Sequence, residues 1–289
     1  MTGSGTGGTS GTGGPGGARP AEVAGVVLAA GAGTRLRPLT DLRPKALCPV
    51  GGVPLLDHAL DRLAPLTGTG ADRVAVNAHA HAGQVAAHCD RRGDVRLSVE
   101  PDPLGTAGAL GLLRPWLDGR PVVVTNADSY LPDGLGTLLT GWDGERCRLL
   151  CAPSPGPGDF PSTAPGLRYV GAAVLPWSAV RDLAATPSGL YEVLWRDAER
   201  CGTLELVTVE QVTGGGTVAV DCGTPADYLR ANLHASGGRS VVGAGVTVLG
   251  TLDRCVVWDG AWVGPGEHLR DAVRAGTRDD VTTVTVTPG

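Results

Sequence analysis

Lysine is almost absent from this sequence of 289 residues, because Lys45 is the only lysine among 24 basic residues. Aromatic residues are scarce, at 4%, and the net charge is −5. The few aromatic residues and the negative net charge disfavour a nucleic-acid-binding protein, which needs stacking side chains and a broad positive surface. No apolar run is long enough to span a membrane, and no signal peptide is predicted.

The seven cysteines are odd in number and include no Cys-x-x-Cys pair. Disulfide frameworks and zinc sites normally use paired, regularly spaced cysteines. The cysteines therefore predict reduced thiols and a cytoplasmic location.

The most informative segment is residues 26–47, VVLAAGAGTRLRPLTDLRPKAL. Its first five residues are apolar and predict a buried strand. The following Gly31-Ala32-Gly33 can turn tightly and bring backbone amides close to a phosphate. Arg35 and Lys45 then supply positive charge, as a polyanion such as a nucleoside triphosphate requires. A lone lysine among arginines suggests a site that needs a compact point charge.

Strands and helices alternate through the first two thirds of the chain. Strands are predicted at residues 23–29, 72–77, 95–99, 121–126, 146–152, 169–176, 203–209 and 217–220. Helices are predicted at residues 54–64, 81–90, 105–117, 134–140, 178–185 and 190–200, with another beginning at Thr224-Pro225. This alternation indicates a doubly wound, mostly parallel α/β sheet, which binds ligands at the carboxyl ends of its strands.

The two ends of the chain differ from the middle in composition. Residues 1–21 are rich in glycine, serine and threonine and predict a disordered tail. Residues 22–238 are expected to form the main domain. From residue 239, glycine and small apolar residues return at roughly six-residue spacing, which resembles a short left-handed parallel β-helix. Separate β-hairpins are the alternative for this segment, 239–289.

The segment at 26–47 resembles the signature of sugar-1-phosphate nucleotidyltransferases, LAAGxGTRLxPLTxxxPKxL, and the similarity continues to Leu55. A dinucleotide-binding site is disfavoured, because the third glycine of its G-x-G-x-x-G motif is missing. The resemblance implies a Rossmann-like (GT-A-like) fold and transfer of a nucleotidyl group from a nucleoside triphosphate to a sugar 1-phosphate. It makes Arg35, Lys45 and Asp128 catalytic.

Two aspartates stand in further motifs of this family. Asp128 lies in Asn126-Ala-Asp, which is similar to the family's N-G-D. Asp221 lies in Asp221-Cys-Gly-Thr-Pro225, which is similar to D-x-G-T-P. The resemblance makes both carboxylates ligands of Mg²⁺, whereas an isolated aspartate at such positions is commonly a turn or cap residue.

The nucleotide is assigned to the strand-end loops. The predicted contacts lie in three places: around the first loop, at the end of the second strand, and in the segment P-L-G-T-A-G. They are Leu28, Ala29, Ala30, Gly31, Gly33, Thr34, Asn77, Leu104, Gly105 and Thr106. The last segment resembles that of guanylyltransferases, so GTP is the preferred nucleotide, and Gly108 is expected to help backbone approach the base.

The sugar phosphate is assigned to Tyr169, Gly171, Glu192 and Arg168. Tyr169-Val-Gly171 resembles the family's Y-x-G, and Glu192 resembles an acidic residue that accepts sugar hydroxyls. The second lysine found in many members is missing, and Arg168 or Arg148 is the candidate replacement. Loop 153–166 is expected to cover the site.

The predicted enzyme uses GTP with a mannose- or heptose-type phosphate. A uridylyltransferase for an amino-sugar 1-phosphate is one alternative. A regulatory homologue that binds a nucleotide sugar without turnover is another. Nucleic acid and membrane are not expected partners, whereas a homo-oligomer is compatible with the sequence.

Overall fold

A computed structural model describes residues 22–154, 156–160, 166–209 and 218–287. The predicted disordered tail, 1–21, therefore lies outside the described residues. So do residue 155 and residues 161–165 of the segment that is expected to cover the site, and residue 217 of the last predicted strand.

The described residues form seven α-helices and nineteen short or long strands. The helices are, in chain order, α1 (Leu39–Leu42), α2 (Leu55–Thr67), α3 (Ala82–Arg92), α4 (Gly105–Leu117), α5 (Trp177–Val180), α6 (Arg196–Arg200) and α7 (Pro225–Ala235). Strands of the first 221 residues are β1 (Ala24–Leu28), β2 (Pro49–Val50), β3 (Val53–Pro54), β4 (Val74–Ala78), β5 (Arg96–Val99), β6 (Val122–Asn126), β7 (Ser129–Tyr130), β8 (Arg148–Pro153), β9 (Leu167–Leu175), β10 (Glu205–Thr208) and β11 (Val220–Asp221). The remaining strands are β12 (Val241–Val242), β13 (Thr247–Val248), β14 (Thr251–Asp253), β15 (Val256–Val257), β16 (Trp262–Val263), β17 (His268–Arg270), β18 (Ala272–Gly276) and β19 (Val281–Thr285).

The central sheet has seven strands in the order β10-β8-β9-β6-β1-β4-β5. All neighbours are parallel except β9, which runs antiparallel to both β6 and β8. Strands β1, β4 and β6 are buried on both faces, as their valine-rich runs require. The mixed α/β class and the mostly parallel sheet are therefore confirmed.

Two predicted helices are shorter than expected. The apolar residues at 134–140 form only a 3₁₀ turn over Gly136–Leu138, and the helix predicted at 178–185 stops at Val180. Leu135, Leu138 and Leu183 of these segments are nevertheless buried, so the apolar pattern indicated core contacts rather than helix length. At α7 the expected start is correct, because the Thr224 hydroxyl accepts a hydrogen bond from the Asp227 amide at 3.2 Å.

Beyond residue 239, strands pair with strands that lie 15 to 17 residues further along the chain. Val241 pairs with Val256, Thr247 with Trp262, and Thr251 with His268, always in parallel. Strand β18 extends the first of these ladders, and β19 closes it in antiparallel fashion. Hairpins do not produce such parallel pairs, although β18 and β19 form an antiparallel pair.

The C-terminal segment shares a core with the region of residues 36–50. Val256, Trp258 and Val273 are buried together with Leu36 and Cys48. The Trp258 indole nitrogen donates to the Tyr228 hydroxyl at 3.0 Å, and the Arg43 guanidinium lies 4.3 Å from the centre of the Trp258 ring. The segment thus supports the loop that carries Lys45.

Candidate active site

The site is built where two neighbouring parallel strands end. Leu28 of β1 stands opposite Asn126 of β6, and the Ala127 amide donates to the Leu28 carbonyl at 2.9 Å. The loop after β1 and the loop after β6 therefore leave the sheet side by side. This edge is the ligand-binding edge of a doubly wound sheet.

The first loop folds back on itself through Gly33. Its φ of 63° is a left-handed conformation that favours glycine. The Thr40 hydroxyl donates to the Gly33 carbonyl at 3.0 Å. A methyl group at Gly33 would lie 2.9 Å from Thr40 Cγ2 and 3.1 Å from Lys45 Cβ, so the turn also needs the missing side chain.

Asp128 and Asp221 meet through a short antiparallel pair. Strand β7 begins one residue after Asp128, and its Ser129 stands opposite Asp221 of β11. The Cys222 amide donates to the Asp128 carbonyl at 3.0 Å. These backbone bonds bring together two carboxylates that are 93 residues apart in sequence.

Both carboxylates bind the only lysine. The ammonium of Lys45 lies 2.5 Å from Asp128 Oδ2 and 3.3 Å from Asp221 Oδ1. Asp221 also accepts a hydrogen bond from Arg35 at 3.3 Å. Lys45 is only 8% exposed. Burial lowers the pKa of Lys45, but the attraction of Asp128 and Asp221 outweighs burial and raises it above 10.5.

The arrangement suits a divalent cation carried by a phosphate substrate. Within the described residues, no group of three or more His, Cys, Asp or Glu side chains could hold a metal alone. Mg²⁺, however, is commonly held by one or two carboxylates together with substrate phosphates and water. Oxygens of Asp128 and Asp221 that converge on a single cationic atom fit that pattern.

Three adjoining cavities surround Asp128. One of about 170 Å³ is lined by the first loop, including Ala29, Gly33, Thr34, Arg35 and Lys45. A second of about 240 Å³ is lined by residues that include Leu28, Ala30, Asn77, Gly105 and Thr106. A third of about 380 Å³ contains Arg168, Tyr169 and Gly171. Gly31 lines both of the first two cavities. Most of the residues selected from the sequence therefore surround one continuous cleft.

A buried polar chain joins the first two cavities. The Ala29 amide donates to the Asn77 side chain at 2.6 Å, and Asn77 donates to Glu100 Oε1 at 2.6 Å. Glu100 Oε2 accepts from the Leu104 amide at 3.1 Å. Glu100 is 2% exposed and was not predicted as a site residue. Its position at the end of a strand, immediately before Pro101, is the one feature of the sequence that could have indicated it.

The glycines of α4 have mainly a packing role. A methyl group at Gly105 would stand 2.5 Å from the Ser188 carbonyl oxygen, and one at Gly108 would collide with the Thr186 carbonyl. The Thr106 hydroxyl accepts from the Leu190 amide at 2.8 Å. Gly105 and Thr106 also line the second cavity, whereas Gly108 serves close packing of α4 on residues 184–190.

The third cavity holds three of the four residues assigned to the sugar phosphate. Glu192 is outside its lining; this side chain is exposed and its carboxylate lies over Gly189. Asp159 lines the cavity and accepts from the Tyr169 amide at 2.9 Å, a contact that the sequence did not indicate. Arg148 is buried, bound to Glu205 at 2.7 Å, and is not a replacement for the missing lysine.

The backbone conformation and the close packing at Gly171 both require glycine. Its φ is 86°, and a side chain there would meet the Ser129 hydroxyl and Asn126. The glycine therefore lets β9 pack against the loop that carries Asp128, in addition to lining the third cavity.

Comparisons with known proteins agree with this geometry. Residues 24–147 match the family described as nucleotidyl transferase. An N-acetylmuramate alpha-1-phosphate uridylyltransferase of Caulobacter vibrioides is 37% identical over 44% of this chain and 57% of its own length. A mannose-1-phosphate guanylyltransferase of Mycobacterium tuberculosis is 33% identical over 41% of this chain and 33% of its own length. The resemblance to sugar-1-phosphate nucleotidyltransferases is therefore confirmed.

Solved structures support the fold. The chain matches a structure called mannose-1-phosphate geranyltransferase from Thermus thermophilus with a TM-score of 0.65 and 20% identity, over 91% of this chain and 95% of that one. The alignment with the Caulobacter vibrioides relative spans little more than half of that protein's length.

No helix among the described residues is long and apolar enough to cross a membrane.

Proposed function

We propose that this chain, whose residues 24–147 match the nucleotidyl transferase family, makes a nucleotide sugar and pyrophosphate from a nucleoside triphosphate and a sugar 1-phosphate. The observation that carries the proposal is the convergence of Arg35, Lys45, Asp128 and Asp221 beside a loop of bare amides. An oxygen of the sugar phosphate attacks the α-phosphorus of the nucleotide. The bond between the α-phosphorus and its bridging oxygen breaks, and pyrophosphate leaves with the bond electrons.

The chain's contribution to this reaction is positioning and charge. Backbone amides of the first loop, together with Arg35 and Lys45, bind the triphosphate and stabilise the negative charge that develops during transfer. The two cations and two carboxylates of the cluster nearly cancel one another in the free protein. This balance keeps a partly buried group of charges stable until a substrate brings its own charge.

The donor set of the site supports a magnesium ion held by Asp128 and Asp221. When bound, Mg²⁺ would neutralise charge on the phosphate oxygens and orient them for attack. Asp128 is the more enclosed of the two, because its side chain is 32% exposed and that of Asp221 is 56% exposed.

The sugar 1-phosphate is assigned to the third cavity. Arg168 lines it and, within the described part of the chain, takes part in no ion pair, so its charge is available for the phosphate. Tyr169 and Gly171 shape the wall. Burial raises the pKa of the Tyr169 hydroxyl, so this group is neutral and can act as a hydrogen-bond donor.

The nucleobase is assigned to the cavity beside Asn77 and Gly105. GTP is predicted from the segment at 104–108, whereas two relatives, from Caulobacter vibrioides and Neisseria meningitidis, are named as uridylyltransferases. Those names favour UTP with an amino-sugar 1-phosphate as the second candidate.

A pyrophosphate-release screen tests the proposal. Each of the four ribonucleoside triphosphates and dTTP is combined with mannose, glucose, N-acetylglucosamine and N-acetylmuramate 1-phosphates in the presence of Mg²⁺. We expect turnover with one pair well above the rest, and loss of that turnover in Asp128→Asn. Tight binding of a nucleotide sugar with no turnover for any pair would instead support a regulatory role.

Three further parts of the hypothesis remain predictions. These are the boundary at residue 239, the left-handed winding of the C-terminal coils and assembly into a homo-oligomer. The parallel pairing of β12, β13 and β14 with β15, β16 and β17 supports the coils.

A further inference from the structure

Arg62 is a buried arginine directly behind the loop that carries Asp128. It lies in α2 and is 7% exposed. Its guanidinium donates to the Thr125 hydroxyl at 2.9 and 3.1 Å, to the Asn126 carbonyl at 2.6 Å and to the Ser129 carbonyl at 2.7 Å. Every one of these acceptors lies within three residues of Asp128.

The charge of Arg62 is not neutralised by a direct partner. Within the described part of the chain, no aspartate or glutamate pairs with its guanidinium. Burial lowers the pKa of Arg62 to about 10, while Asp128 acts in the opposite direction. A buried cation with no carboxylate contact is costly, so its presence calls for a specific reason.

Arg148 provides a contrast within the same protein. It is equally buried, at 8% exposure, and also donates to backbone carbonyls. Its guanidinium, however, has a carboxylate partner, Glu205, and its carbonyl partners lie at residues 138–141. Arg148 therefore fastens a region away from the cleft, and only Arg62 holds the loop of a proposed metal ligand.

We propose that Arg62 is a positioning residue that fixes the backbone of residues 125–129 and thereby aims the Asp128 carboxylate at Lys45. Its planar fork spans the two sides of the turn, because one nitrogen binds Ser129 and another binds Asn126. Lysine has a single donor nitrogen, so it cannot place separate nitrogens on the two carbonyls as the guanidinium does. The effect on rate rests on the proposed function, whereas the effect on the loop does not.

A cavity beside Arg62 makes chemical rescue feasible. It measures about 470 Å³, and its lining includes Arg62, His58, Tyr130 and Leu135. Because the cavity reaches Arg62, removal of the side chain leaves space that a small planar cation can enter. Guanidinium can then restore the two-sided hydrogen bonding that the truncated side chain no longer supplies.

The test compares Arg62→Lys, Arg62→Ala and the control Arg148→Lys. Amide hydrogen exchange at residues 126–130 is measured by mass spectrometry, and global stability by urea unfolding. We expect faster exchange in this loop for both Arg62 variants, beyond any change in global stability, and no such change for Arg148→Lys. Unchanged exchange in Arg62→Lys would overturn the proposal even if the wild-type protein proved inactive in every assay.

Kinetics then separate positioning from general loss of structure. For the substrate pair identified in the screen, we expect Arg62→Lys to lower kcat at least tenfold while KM for the nucleotide changes less than threefold. Millimolar guanidinium chloride should restore part of kcat in Arg62→Ala, whereas equal concentrations of sodium chloride or urea should not. A rise in KM alone, or equal rescue by all three solutes, would refute positioning. Absence of turnover in the wild type would reject the proposed function and leave the exchange result to decide this inference.

Discussion

The replacement of Lys45 by arginine tests why this site keeps the chain's only lysine. The ammonium binds one oxygen from each of two carboxylates, at 2.5 Å from Asp128 and 3.3 Å from Asp221. A guanidinium fork pairs best with both oxygens of one carboxylate. The variant should therefore keep its charge but lose one charge-assisted contact.

The size of the effect follows from that lost contact. A hydrogen bond to a charged group is worth about 1.5–3 kcal/mol. The Asp221 side chain is 56% exposed, which places the loss at the lower end. A loss of about 1.4 kcal/mol in transition-state stabilisation corresponds to a tenfold lower kcat/KM. We expect at least that reduction for Lys45→Arg.

The matched control is Arg35→Lys, the reverse replacement at the other cation that contacts Asp221. Arg35 is largely exposed, at 68% of its side chain, and makes a single 3.3 Å contact with Asp221. Exposed ion pairs contribute at most about 1 kcal/mol, and lysine keeps the positive charge that Arg35 offers the triphosphate, so Arg35→Lys should lower kcat/KM by no more than about fivefold. Steady-state pyrophosphate release measures both variants, and thermal unfolding confirms that each is folded. Wild-type kinetics for Lys45→Arg, or a larger loss for Arg35→Lys, would refute the argument from shape.

The pH dependence of Lys45 has a definite sign. Its pKa is raised above 10.5 in the folded protein. The stabilisation from its ion pairs is therefore fully present below pH 10.5 and is lost only as pH rises through the higher folded-state pKa. Titration of Lys45 should contribute nothing to a rate profile near neutrality.

Four other changes have expected outcomes. Asp128→Asn should lower kcat at least a hundredfold, about 2.7 kcal/mol, with the fold intact by circular dichroism; near-normal turnover would contradict its role. Gly171→Ala should cost more than about 1 kcal/mol in urea unfolding, because its φ is 86°. Trp258→Ala should cost about 3–5 kcal/mol by the same measurement, and a smaller loss would mean that the coils add little support. Alkylation of the native protein should modify the exposed Cys201. Cys48 should react only after unfolding, because it is buried and burial raises its pKa to about 12.

Local chemistry in the sequence determined the strands, the first loop and its charges. The apolar residues from Val26 predicted a buried strand, which the structure places at Ala24–Leu28, and Gly31 and Gly33 predicted a tight turn after it. The sequence also singled out Lys45, Asp128 and Asp221 through motifs that resemble those of nucleotidyltransferases. These features are local because they depend on propensity, on spacing within a few residues and on residue type.

Tertiary structure decided which of these residues share a site. The pairing of β7 with β11 brings Asp128 and Asp221 together. Strands of two residues are too short for a local sequence pattern to predict their pairing. The contacts of Glu100 with Asn77 and Leu104 depend on the fold, and Glu192 falls outside the third cavity, to which the sugar phosphate is assigned. Arg62 looks like an ordinary helix residue in the sequence. Its function depends on three carbonyl or hydroxyl oxygens that lie more than 60 residues away, and such contacts exist only after the sheet has formed.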